Sequence, residues 1–328
     1  MTIKEVAQLA GVSSAAVSRY LNGGSISEEK RERVRKAIED TGYRPNPMAQ
    51  TMRTGRNRQV GIIVPRIYSD SVSQITAGVE QELAKRGYMT LLGCTDHSLE
   101  KETDYLRIMQ ENQVSGIILM GTVLTAETAE AIRGSRVPVV ITGQNFEGFP
   151  CVYHDDFHAV LDLTGLLIAR GRRRIVMISA SGEDIAAGLN RLRGAEQALL
   201  DAGLDPSAML REESTFDAEG GKRTMESLLK KCPDLDGVVC ATDTMAMGAI
   251  SALREAGKRI PEDVSIVGVG DSWVDEVSIP SLTTAHLFFR QCGEEAARLL
   301  LELIDDPEGE KPARQVRLPF MIVERDSV

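Results

Sequence analysis

Residues 6–22 read VAQLAGVSSAAVSRYLN, a compact block of alanines and serines with one arginine. Side chains this small cannot fill a core by themselves, so the segment is built for something to approach it closely. Thr2 and Glu5 have the spacing of a capping box, and Ile3, Val6, Ala7 and Ala10 recur with helical period until Gly11 stops the run. Ser13 or Ser14 can cap a second helix through Leu21, with Val17 and Leu21 on one face and Ala15, Ser18 and Arg19 on others. Ser27, Glu28 and Glu29 place a cap and two acids at the positive end of a third helix, which turns Val34, Ala37 and Ile38 inward and ends at Gly42. Three short helices with a tight turn between the first two predict a helix-turn-helix head. In such a head serines can donate to phosphates, alanine methyls can touch a thymine methyl, and Arg19 can bond the guanine edge. A small bundle packed on the rest of the chain is the plainer alternative.

Charge favours the nucleic-acid reading. Residues 1–58 hold 11 Lys and Arg against 6 Asp and Glu, a surplus of five positive charges inside a chain whose net charge is -10. A basic head on an acidic body suits a module that meets phosphates while the remainder avoids nonspecific adhesion. The other bulk properties are those of ordinary globular material: 328 residues, 42% hydrophobic and 26% charged, enough for two or three domains. Five cysteines with no CxxC pair fit buried thiols in a reducing cytosol better than a disulfide frame or zinc ribbon. No apolar run reaches the ~18 residues of a membrane span, and the N-terminus lacks the apolar core of a secretion signal, so neither membrane nor export is expected.

From Val60 the pattern becomes strand and helix in alternation. VGIIVP, YMTLLG, GIILMG and VPVVIT form one series, and RIVMISA, GVVCAT and SIVGVG a second. Near-continuous apolar strands between helices predict two doubly wound parallel sheets, an α/β body behind an all-α head. A cleft between two such sheets, rimmed by loops at the strands' carboxyl ends, is the expected ligand site. Those loops carry Arg66, Ile67, Tyr68 and Ser69, then Thr122, Asp155 and Asp156, Thr242 and Asp243, and Asp271, with Arg191 and Arg193 at a helix mouth. Carboxylates, hydroxyls and an arginine fork fit vicinal sugar hydroxyls, and Tyr68 or Phe289 could give the stacking face. Asp155 could equally cap the following helix, and Asp243 brace the cleft through backbone amides. His154 and His158 imitate a metal-binding pair, yet no third ligand is evident and no metal is expected.

TIKEVAQLAGVSSAAVSRYLNG followed by GYRPNPMAQTMRTGR resembles the N-terminal signature of the LacI/GalR family of bacterial transcription repressors. RxxG at Arg191 and Gly194, ATDTMAMGA at 241–249 and IPSLTT at 279–284 extend the resemblance through the body. It implies that Ser14 and Ala15 open a recognition helix on base edges, completed by Ala16 and Arg19, while Thr2, Ser13, Ser18 and Asn22 hold phosphates. It also implies a hinge helix in the minor groove, with Ala49 and Gln50 against the groove, Met52 as the wedge where leucine is usual, and Arg53 supplying charge. Asp156, Arg191, Thr242 and Phe289 become effector contacts. Where a galactoside-binding member has an acid after the strand SIVGV, this chain has Gly270 followed by Asp271. The segments GQNFEGFPCVYHDD and GVGDS are instead similar to the branch that controls sucrose and related disaccharide operons.

The expected organisation is a helix-turn-helix domain at 1–45, a hinge at 46–58, a first lobe from 59–171 and 287–311, and a second from 172–286 and 312–328. The resemblance implies a homodimer on double-stranded palindromic operator DNA, released by a small sugar effector, a sucrose-like disaccharide or a phosphosugar, without a cofactor; a corepressor sense is the alternative. A cytoplasmic sugar-binding protein without regulatory output, or an enzyme, is the further alternative. Enzyme motifs are missing: GVGDSW puts Trp273 where a dinucleotide loop needs its third glycine, and neither a P-loop nor a GxSxG elbow occurs.

Overall fold

The computed structural model describes residues 1–21, 24–43, 57–306 and 313–328. They fall into two compact units that meet in sequence between Asn57 and Arg58. The first unit holds α1 (Ile3–Ala10), α2 (Ser14–Leu21) and α3 (Glu28–Thr41). The expected capping box forms: the Thr2 hydroxyl accepts from the Glu5 amide at 3.4 Å, and the Glu5 carboxylate accepts from the Thr2 amide at 2.8 Å. Ser13 rather than Ser14 caps α2, accepting from the Ala16 amide at 3.2 Å. Val6, Ala7, Ala10, Val17, Val34 and Ala37 interlock as a small core of mostly short side chains, which lets three helices of this size approach closely.

The second unit contains two six-stranded sheets. The first runs β11-β5-β4-β3-β1-β2, every neighbouring pair parallel, and is built from β1 (Gln59–Val64), β2 (Met89–Cys94), β3 (Gly116–Leu119), β4 (Val139–Thr142), β5 (Cys151–His154) and β11 (Gln315–Leu318). The second runs β12-β10-β9-β8-β6-β7, from β6 (Ile175–Ser179), β7 (Arg211–Glu213), β8 (Gly237–Cys240), β9 (Ser265–Gly270), β10 (Thr283–Leu287) and β12 (Phe320–Val323), with only β12 antiparallel to its neighbour. On the first sheet lie α4 (Asp70–Lys85), α5 (Leu99–Glu111), α6 (Ala126–Arg133) and, later in the chain, α12 (Phe289–Ile304). The second carries α7 (Asp156–Ala169), α8 (Arg191–Asp201), α9 (Ala218–Lys231), α10 (Asp243–Glu255) and the short α11 (Trp273–Val277). Strands such as Gly116–Leu119 and Gly237–Cys240 are buried throughout, as strands covered on both faces must be.

The lobe boundaries differ from the sequence expectation at two places. The first lobe ends at β5 rather than at residue 171, because α7 packs Ala159, Val160, Leu163 and Leu167 against Ile175 and Met177 of the second sheet. The terminal run RLPFMIVE, expected whole in the second lobe, contributes to two strands. Pro319 offers no amide to a ladder, so pairing stops there: β11 completes the first sheet and β12 the second. Among the described residues the chain therefore passes between lobes three times, after β5, after β10 and at Pro319.

Helices α4 and α12 cross at close range on the first lobe. A side chain added at Gly293 would stand 2.0 Å from the Ile75 carbonyl oxygen, and one at Gly78 would stand 2.1 Å from that of Arg290. Backbone cannot yield as a flexible side chain can. Gly293→Val should therefore destabilise the second unit by about 3 kcal/mol or more, read as a lowered urea midpoint with an unchanged slope.

Candidate functional site

In the head, α2 presents Ser13, Ala15 and Arg19 exposed and Ser14 and Ser18 half-buried, so five of the residues expected at DNA lie on an accessible surface. The Arg19 guanidinium leans back on the Ala15 carbonyl at 3.4 Å, a bond weak enough to give up to a base edge. Thr2, also exposed, sits at the N-terminus of α1. Ala16 is a correction: it is 4% exposed, turned inward beside Val17, and has no methyl to offer a base. Asn22, Ala49, Gln50, Met52 and Arg53 lie outside the described residues.

In the second unit a cavity of about 170 Å³ opens at the carboxyl ends of strands from both sheets. At ~10–15 Å³ per water, this holds on the order of ten waters, the scale of a small polyhydroxylated molecule. Thr122, Asp156, Arg191, Thr242 and Phe289, all expected from sequence, line it.

Its floor is an ion pair. Asp156, the first residue of α7, and Arg191, the first of α8, are 3% and 6% exposed. Asp156 Oδ1 accepts from Arg191 Nε at 2.8 Å and from Nη2 at 2.7 Å, while Arg191 Nη1 donates to the Ala241 carbonyl. Three fixed bonds hold the guanidinium plane, and the acid stands at the start of a helix, where a negative charge is stabilised. Beside them Asp184 caps a π-helical turn (Ile185–Asn190) by accepting from the Ala187 amide at 2.8 Å, and burial pushes its carboxyl up to about 6.

Asp243 lines the cavity but spends its oxygens on the fold: Oδ1 accepts from the Thr284 hydroxyl at 2.6 Å and Oδ2 from the Ser272 amide at 3.3 Å. It lies against Asp275, and burial drives the carboxyls of both upward, so the pair keeps a proton between them. Gly270, at φ 146, is required here, since a Cβ would approach Asp243 Oδ2 to 2.5 Å. The missing acid at this position is thus a consequence of where Asp243 puts its carboxyl. Thr242 caps α10 through its hydroxyl, which accepts from the Met245 amide at 3.3 Å.

Five expected residues do not line the cavity; one of them, Arg193, is exposed on α8. Asp155 is a helix cap and lobe brace: Oδ1 accepts from the His158 amide at 3.4 Å and meets His158 Nδ1 at 2.7 Å, and Oδ2 pairs with Arg317 at 3.3 Å. Asp271 is tied to Arg325 at 2.6 Å and His286 at 2.8 Å. Ile67 and Tyr68 are 60% and 80% exposed, carried outward by the loop after β1. The capping role of Asp155 was one of its two sequence readings; the pairs with Arg317 and Arg325 and the course of the loop after β1 only the fold decides.

Of the far wall, sequence reading had only Arg66, in the loop after β1; His97 and Phe216 were missed. Arg66 of the first lobe donates through Nη1 to the Phe216 carbonyl of the second at 2.7 Å and lies over that ring at 5.3 Å; His97 stacks on the same ring at 6.3 Å. All three line the cavity, so an aromatic of one lobe is clasped by two groups of the other at its mouth. Phe216 stands in a loop without any motif, and only the fold brings it here.

A helix-turn-helix head carried in one chain with a two-lobed body around a polar cleft defines a class: DNA-binding regulators that answer to a small molecule. The comparisons agree. Residues 2–46 match the family described as bacterial regulatory proteins, lacI family, and residues 164–328 the periplasmic binding protein-like domain. The HTH-type transcriptional regulator RegA of Clostridium saccharobutylicum is 33% identical over 99% of this chain and 98% of its own length. The sucrose operon repressor of Staphylococcus xylosus is 31% identical over 92% and 93%. Among solved structures, a transcriptional regulator CelR in complex with cellobiose superposes with a TM-score of 0.77 and 31% identity, both chains covered in full. The chain belongs to the lacI family of bacterial transcriptional regulators. No helix among the described residues is long and apolar enough to cross a membrane, and none of their acid, histidine and cysteine groups forms a metal-binding cluster.

Two measurements check the floor. Arg191→Leu strands Asp156 in a buried place and should cost about 3–5 kcal/mol of stability at neutral pH in chemical denaturation. Asp184 has its folded value raised above the ordinary 3.8, so its neutral form supports the fold at low pH and this support disappears as pH rises through about 6. Asp184→Asn should therefore flatten the pH dependence of stability across that window, gaining up to about 3 kcal/mol on the wild type above it.

Proposed function

We propose that this protein is the repressor of a carbohydrate-utilisation operon: a homodimer that grips a palindromic operator with two heads and is released when a sugar occupies the cleft. The observation that carries the reading is the buried pair of Asp156 and Arg191. It offers fixed donors and acceptors side by side, at the floor of a cavity edged by Phe289 and Phe216. A neutral polyol is recognised in this way, by hydroxyls bonded in pairs and an apolar ring face laid on an aromatic. The names of two relatives, a sucrose operon repressor and a regulator with cellobiose bound, support the same chemistry.

Lobe closure supplies the coupling. The cavity is lined from both sheets, and ligand bound to both walls favours one mutual posture of the lobes over others. Exposed apolar residues support a dimer. Met89 and Leu92 on the edge strand β2 are 67% and 45% exposed, and Trp273 and Ile279 on the second lobe are 73% and 78% exposed. An uncovered apolar sheet edge invites association, and a second copy of the chain covers it here. The DNA contacts fall to Thr2, Ser13, Ser14, Ala15, Ser18 and Arg19.

Fluorescence anisotropy of a palindromic duplex tests this. The protein should prefer the palindrome to random duplex at physiological salt, and sucrose or cellobiose should weaken that binding at least fivefold, with operator weakening sugar binding by the same factor. Tighter operator binding with sugar would make the small molecule a corepressor; indifference to both sugars would remove them as effectors.

A further inference from the structure

Among the described residues five buried side-chain polar atoms have no hydrogen-bond partner, and two of them belong to residues lining the cleft: His154 Nε2 and Thr142 Oγ1. The sheet brings them together. In the parallel pairing of β4 with β5, Thr142 stands opposite Val152, and His154 lies two residues further along β5, on the same face. Both side chains therefore leave the sheet on one side, at the carboxyl ends of adjacent strands. His154 is 5% exposed and Thr142 1% exposed, so bulk water does not reach them freely.

The tautomer of His154 is fixed by its surroundings. The Phe288 backbone is an acceptor within reach of the ring, and with Nε2 unpartnered Nδ1 is the nitrogen placed to donate to it. Burial holds the ring neutral, driving its pKa down to about 4. Phe289 meets the imidazole edge-on at 5.2 Å and closes that side. What remains is a lone pair on Nε2 in a dry wall, beside a hydroxyl that can accept or donate. A buried acceptor left without a donor is costly, so the place is built for a group that arrives with a proton.

We propose that His154 and Thr142 form a hydroxyl-reading subsite in the first-lobe wall of the cleft, with His154 Nε2 accepting a hydrogen bond from an uncharged hydroxyl of the ligand. This rests on the cleft being the effector site and goes further by stating what part of the ligand lies there. A phosphate or carboxylate brings only lone pairs to Nε2 and is excluded from this end. The subsite therefore selects the unphosphorylated end of a sugar.

The test uses the full-length protein, with Thr142→Val and His154→Phe, and sucrose and cellobiose as probes in calorimetric titration. For whichever sugar binds the wild type, each variant should weaken binding about tenfold. Thr142→Val should meanwhile leave the sugar-free melting temperature unchanged or raised, because it removes an unpaired hydroxyl. In ¹⁵N spectra of the histidine rings, His154 should be the neutral Nδ1–H tautomer, its Nε2 signal moving when sugar is added. Wild-type affinity in both variants would overturn the proposal, showing that a resident water satisfies these atoms. So would an Nε2–H tautomer or a charged ring, a test that needs no sugar and holds if His154→Phe fails to fold. The two readings fail separately: wild-type protein that binds neither sugar removes both as effectors, and the subsite is then decided by the ring spectra alone.

Discussion

The ion pair of Asp156 and Arg191 sits where the chain leaves one lobe for the other, and much of the second unit is arranged around it. Asp156 follows the β5 crossing directly, and Arg191 closes a π-helical turn whose cap is another buried acid, Asp184. A charge this deep survives only when matched. The guanidinium is satisfied by one carboxylate and one backbone carbonyl, and the carboxylate by a helix start and two N–H donors. Rigidity there is bought with desolvation, and its use is orientation: donors and acceptors are held in place before a ligand arrives.

Around that floor the polar groups divide into two kinds. Asp155, Asp243, Asp271 and Thr242 spend their hydrogen bonds on the protein, bracing the crossing points and helix starts. His154 and Thr142 do not, and the walls they belong to remain incomplete. Residue type does not separate the classes. An aspartate after a parallel strand is equally suited to cap the next helix or to bind a hydroxyl, and which it does follows from the donors within reach.

The second lobe also shows how a family feature is displaced by a neighbour. Asp243 turns its carboxyl toward the backbone of β9 and shares a proton with Asp275, which leaves no room for a side chain at Gly270. Opposite, Arg66 and His97 clasp Phe216 across the mouth, so the two lobes touch through an aromatic ring and a carbonyl. Opening the cleft costs these contacts, and the posture of the lobes is a balance between them and whatever lies inside.

Sequence alone determined the three-helix head, its capping box, the alternation of strands and helices, the paired sheets and eight of the cleft residues. Those features are local, set by periodicity, by caps within four residues and by runs of apolar side chains. The lobe assignment of α7, the division of the last strand at Pro319, the inward turn of Ala16 and the outward course of Tyr68 were decided by tertiary packing. So were the clasp on Phe216 and the orphaned ring nitrogen of His154, because partners over a hundred residues apart in the chain become neighbours only once both sheets have formed. A side chain's type is written in the sequence, but its direction and its unmet hydrogen bonds depend on atoms that only the fold brings near.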